Sequence, residues 1–73
     1  MFDVKDANGF VIEPGDNVKT LVPCPDGPAS GTVGGVVEIE EDAHFAPEDR
    51  FVYVIVGDDT FPYYGEELEV LPR

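Results

Sequence analysis

Phe51-Val52-Tyr53-Val54-Ile55-Val56 is the stretch that decides the fold of this 73-residue chain. It is an unbroken run of β-branched and aromatic residues, too short for a three-turn helix. Gly57-Asp58-Asp59 stops it with turn chemistry, so it reads as a central strand. If Val52, Val54 and Val56 fill a core, side-chain alternation sends Phe51, Tyr53 and Ile55 to the opposite face. Downstream, Thr60–Tyr64 reads as a strand interrupted by Pro62, Gly65-Glu66-Glu67 as a tight turn and Glu69–Leu71 as a closing strand. Upstream, Glu41–Arg50 is a polar connection carrying the only His. In Thr32–Glu40, Val37 and Ile39 alternate with Glu38 and Glu40, which predicts a half-buried strand with the valine and isoleucine inward and both glutamates outward. Gly34-Gly35 marks a bulge or sharp bend within it.

The N-terminal half has the same texture. Asn8-Gly9 is a hairpin-grade turn between Phe2–Lys5 and Phe10–Ile12, Glu13-Pro14-Gly15-Asp16 is a second turn, and Val18–Val22 reads as the first long strand. Pro23–Ser30, with three prolines in eight residues, is a loop expected to bulge from the rim. No segment holds apolar residues at helical spacing over three turns. The expectation is one all-β domain over residues 1–73: a small barrel of five to six short antiparallel strands, with a long loop after the first long strand and a one-turn link before the last.

A domain this small buries only about 60% of the surface its unfolded chain exposes, so its stability is marginal. Its 42% hydrophobic content is nevertheless too high for a disordered tail. The lone Cys24 has no disulfide partner within the chain, and Cys/His zinc spacing is absent. Met1-Phe2-Asp3-Val4-Lys5-Asp6 places acids where a signal peptide carries positive charge. These features lead to the expectation of a cytoplasmic protein with no membrane association. Sixteen acidic residues against four basic ones set a net charge of −12. Strong direct binding to nucleic acid is therefore not expected, because Lys5, Lys19, Arg50 and Arg73 are too few to neutralise a phosphate backbone against that repulsion.

The frame Asp6-Ala7-Asn8-Gly9, Gly15-Asp16-Asn17-Val18, Gly31-Thr32-Val33 with Val36-Val37, Val52-Tyr53-Val54 and Glu67-Leu68-Glu69-Val70 resembles the small SH3-like and KOW-like barrels. Similar frames occur in the small barrel subunit of photosystem I and in short orphan proteins of tailed phages. The likeness spans residues 6 to 71 and implies an SH3-like barrel; the phage proteins imply a regulator made to act on a host machine, in the host cytoplasm. RNA-binding KOW barrels present basic residues around their loops. The corresponding region here offers Glu38, Glu40, Glu41, Asp42, Glu48 and Asp49 instead.

Catalysis is not expected. The chain has one Ser, one Cys and one His, and nothing in the spacing of Cys24 and His44 brings a nucleophile to a base. The carboxylates lack the ligand pattern of a calcium loop, so no metal or cofactor is assigned. Their distribution says more: residues 38 to 69 hold eleven acids and one base, residues 1 to 37 five acids and two bases. That asymmetry serves either as a solubility device or as a field that steers encounter with a basic partner. On neighbouring antiparallel strands, Glu38, Glu40, Glu41 and Asp42 would adjoin Phe51, Tyr53 and Ile55. Of the consecutive Tyr63 and Tyr64, both cannot turn inward, and Tyr64 joins the candidate set. The leading expectation is a monomeric protein-binding regulator that docks on a basic surface of a nucleic-acid machine such as RNA polymerase. The alternatives are a structural accessory subunit of a complex or virion, and a KOW-like nucleic-acid binder using Lys5, Lys19 and Arg73.

Overall fold

A computed structural model of the chain describes residues 3–41 and 44–72. Five strands are present, β1 (Asn17–Thr20), β2 (Val33–Ile39), β3 (Phe51–Val56), β4 (Asp59–Tyr64) and β5 (Leu68–Val70). Two single-turn 3-10 segments punctuate them, η1 (Pro47–Asp49) and η2 (Gly65–Glu67). All pairings are antiparallel, in one sheet of order β4-β3-β2-β1-β5. The Phe51–Val56 strand lies inside the sheet, flanked by β2 and β4, with Val52 and Val54 fully buried.

Turn chemistry sets the registers. Gly57-Asp58 links β3 to β4 with a type II′ geometry, the positive φ of +63° falling on the glycine, and closes the ladder at Val56↔Asp59. Pro14-Gly15 makes a type II turn, with Gly15 at φ +94° and the Asp16 N–H donating to the Glu13 carbonyl at 3.1 Å. The Asp16 carboxylate accepts the Glu13 N–H at 2.9 Å and holds the turn from the other side. The predicted first long strand ends at Thr20, two residues early. Its buried hydroxyl donates to the Ala29 carbonyl and accepts the Thr32 N–H, both at 3.0 Å, so that the loop between β1 and β2 is tied at its base. That loop is exposed at Pro23, Pro25, Asp26, Gly27, Ala29 and Ser30. It folds back until Gly27 meets the ring of Phe61 and Cys24 packs half-buried on the core.

The inward pattern predicted for β2 is corrected at Val37. A bulge between Val36 and Glu38 inserts Val37 as an extra residue, 52% exposed, while Val36 is buried and Ile39 packs on the core. Glu38 keeps its outward direction because the bulge changes the alternation by one residue. At Gly34 the neighbouring strand comes very close: a Cβ there would sit 2.6 Å from the Ile55 carbonyl oxygen and against the Val54 and Val56 side chains.

The sheet is not closed into a barrel, which corrects that part of the expectation. Both of its edges are occupied. β4 carries Pro62, which has no N–H, and the Tyr64 N–H is taken by the Glu67 carboxylate at 2.8 Å. The free edge of β5 is covered by the N-terminal segment, where the buried Asp6 carboxylate accepts the Val70 N–H at 2.8 Å and the Ala7 N–H donates to the Leu68 carbonyl at 3.0 Å. The hairpin predicted around Asn8-Gly9 is reduced to one bridge, Lys5↔Val11, since Asp6 takes the Asn8 and Phe10 N–H groups on its other oxygen. Phe2 lies outside the described residues. Val4 and Ile12 from this segment complete a core with Val18, Val36, Val52, Val54, Tyr63 and Leu68. Among the described residues no helix is long and apolar enough to cross a membrane.

Candidate functional site

The outward residues of β2, β3 and β4 form three rows across the sheet. Gly35, Ile55 and Thr60 make one, and Glu38, Tyr53 and Pro62 the next. The third joins Glu40, whose N–H donates to the Phe51 carbonyl at 2.9 Å, with Phe51 and Tyr64. Of the predicted acids and aromatics, Glu38 is thus the cross-strand partner of Tyr53, Phe51 that of Tyr64, and Glu40 meets Phe51 through the backbone. Phe51 and Tyr64 stack with centroids 5.0 Å apart and an interplanar angle of 22°, and Phe51 meets Tyr53 at 6.4 Å and 46°. Offset rings of this kind hold each other in place, which limits the entropy a partner must remove to use them. Ile55 is 40% and Tyr64 37% exposed, with Phe51 and Tyr53 half-buried beside them. Gly35 leaves a notch next to Ile55 where any other residue would place a side chain.

Of the predicted acids, Glu38 and Glu41 are exposed. Glu40 is half-buried, its carboxylate 3.4 Å from the Phe51 N–H. Asp42 lies outside the described residues. Tyr63 and Tyr64 divide as their adjacency requires, the first buried and the second out. The buried Tyr63 hydroxyl has no hydrogen-bond partner among the described residues, and its pKa is pushed up by burial first, then by its electrostatic interaction with Cys24 and Glu67.

Sequence reasoning missed a groove beside this face. It has a volume of about 320 Å³ and runs between the N-terminal segment and the bulged end of β2. Ile12, Pro14, Val37 and Ile39 supply its apolar lining, and Asp3, Glu38, Glu40 and Glu41 its acids. Arg50 also lines it, buried, with its Nε donating to the Phe45 carbonyl at 3.1 Å. Asp3 and Pro14 meet Glu41 only through the tertiary fold, so no local pattern signals them. The exposure of Val37 could have been inferred only by placing the bulge after Val36 instead of at the glycines.

Lys19 is paired with Glu69 at 3.3 Å, and Arg73 lies outside the described residues. Among the described residues no three His, Cys, Asp or Glu side chains are grouped so as to hold a metal ion. No family model, curated protein or solved structure matches this chain.

Proposed function

We propose that this chain is a small non-catalytic regulator, of the phage-encoded kind that its resemblance suggested, which docks as a single copy on a basic surface of a nucleic-acid machine such as RNA polymerase and blocks or redirects it. The observation that carries the reading is the pairing of Glu38 with Tyr53 within an outward face that also holds Phe51, Ile55 and Tyr64. Aromatic and aliphatic anchors supply the buried centre of a protein interface, and carboxylates beside them select a basic partner and repel an acidic one. Enzymes that handle nucleic acid carry positive channels built for a polyanion, and a domain with net charge −12 is attracted to them over a Debye length before any contact forms. Blocking such a channel needs no chemistry from the bound domain.

The reading is tested by direct titration of purified bacterial RNA polymerase with the labelled chain at low and moderate salt. Saturable binding that weakens with salt, and that falls at least about tenfold in the double variant Glu38→Lys/Tyr53→Ala, is expected. Circular dichroism of the variant checks that it remains folded. Absence of binding would remove RNA polymerase as the target, and binding indifferent to the double variant would remove the face.

A further inference from the structure

The groove at the bulged end of β2 meets the acidic-aromatic face at Glu38 and Glu40, which belong to both. Its two kinds of lining suit one class of occupant. Ile12, Pro14 and Val37 make an apolar floor, and Asp3, Glu38 and Glu41 stand around it as carboxylates with no ion-pair partner among the described residues. Arg50, the cation within the lining, is buried with its Nε on the Phe45 carbonyl, and its one positive charge leaves the four carboxylates Asp3, Glu38, Glu40 and Glu41 in net excess. Lysine and arginine side chains combine an apolar stem with a cationic head, and such a trough receives both parts at once. A volume of about 320 Å³ is at the lower end of ligand pockets, enough for a few side chains and too small for a folded element.

We propose that this groove takes an extended basic segment of the protein partner, with lysine or arginine stems on Ile12, Pro14 and Val37 and their cations at Asp3, Glu38 and Glu41. The segment runs past Glu38 onto the Tyr53 face, so the groove and the face form one continuous footprint. The assignment rests on the docking function proposed above and adds to it the chemistry and the path of the contacting segment. The bulge matters for this role: without the extra residue, Val37 would not stand exposed at the groove while Glu38 stays on the outer face.

Nuclear magnetic resonance titration of the full chain with a short synthetic peptide of alternating lysine and leucine tests the assignment, with a glutamate–leucine peptide as control. The expected result is saturable shifts of the Asp3, Ile12, Val37 and Glu41 amides with the basic peptide and none with the acidic one. The double variant Asp3→Lys/Glu41→Lys, both positions exposed, is expected to bind about tenfold more weakly while keeping its dispersed spectrum. Shifts confined to Tyr53, Ile55 and Thr60 would overturn the groove assignment and leave docking on the sheet face standing. Equal response to the acidic peptide would overturn the charge argument, and no response to either peptide would overturn the groove assignment. Docking on the face would then be decided separately by the RNA polymerase titration.

Discussion

Tyr63 and Asp6 are both buried and polar, and they act in opposite directions. The Tyr63 hydroxyl sits in the core without a hydrogen-bond partner among the described residues, so the folded state loses its hydration and gains nothing in return. Tyr63→Phe is therefore expected to leave stability unchanged or raise it by about 1 kcal/mol, read as the urea midpoint. The same site sets an alkaline limit. Its raised pKa makes the protonated form the one the fold prefers; that contribution is fully present below the unfolded tyrosine value of about 10 and is lost as pH rises through the higher folded value. The urea midpoint should hold up to about pH 10, fall as pH rises beyond it, and fall less in Tyr63→Phe. Asp6, by contrast, accepts three backbone N–H groups, from Asn8, Phe10 and Val70. Asp6→Ala leaves those donors without the carboxylate and is expected to cost about 3 kcal/mol, a large part of what a domain this size possesses. A loss under about 1 kcal/mol would mean that the N-terminal segment is not held to β5 by this residue.

At the scale of elements, the strands were legible where one residue pattern decided them and illegible where distant segments did. β3 could be read from its β-branched run and stop signal alone, and η2 from Gly65-Glu66-Glu67. The bulge at Val37 could not, because Val36, Val37 and Ile39 are all apolar and the packing of Val36 against Val54 selects which turns inward. Closure into a barrel was misread for a related reason. The residues that occupy the two edges, Asp6 at β5 and Pro62 with Glu67 at β4, each look locally like an ordinary turn or strand interruption. The rows that juxtapose Glu38 with Tyr53 were foreseen, since outward alternation on paired strands follows from the sequence. The N-terminal side of the groove was not, since Asp3 and Pro14 reach it through chain crossing. That crossing depends on Gly65, where a Cβ would run into the Lys5 carbonyl and lie 2.8 Å from a Val4 methyl. Gly65→Ala is expected to destabilise by about 1–3 kcal/mol, measured by thermal or urea unfolding. Pro62→Val restores an N–H and adds a β-branched side chain on the outer edge of β4. Concentration-dependent association in sedimentation at moderate salt is expected for the variant and not for the parent chain.

On the scale of the whole molecule, the chain carries sixteen acids against four bases, and its described residues form a body of 30 × 25 × 18 Å. At an ionic strength of about 10 mM the Debye length is about 30 Å, so every carboxylate feels most of the others; near 150 mM it shrinks to about 8 Å. The melting temperature is expected to rise across that range as self-repulsion is screened, opposite to the fall in partner affinity over the same salt. A partner's cations relieve the same repulsion, so the charge that limits the free domain favours the complex. The proposed docking of the Glu38–Tyr53 face on a basic protein brings together the charge, the outward aromatics and the rows they form. Affinity capture from a bacterial lysate with the tagged chain and with Glu38→Lys/Tyr53→Ala, at low and moderate salt, tests it most directly. One protein with a basic surface is expected to be retained near stoichiometrically by the parent chain and lost both in the variant and at higher salt; equal recovery by both chains, or recovery by neither, would rule this docking out.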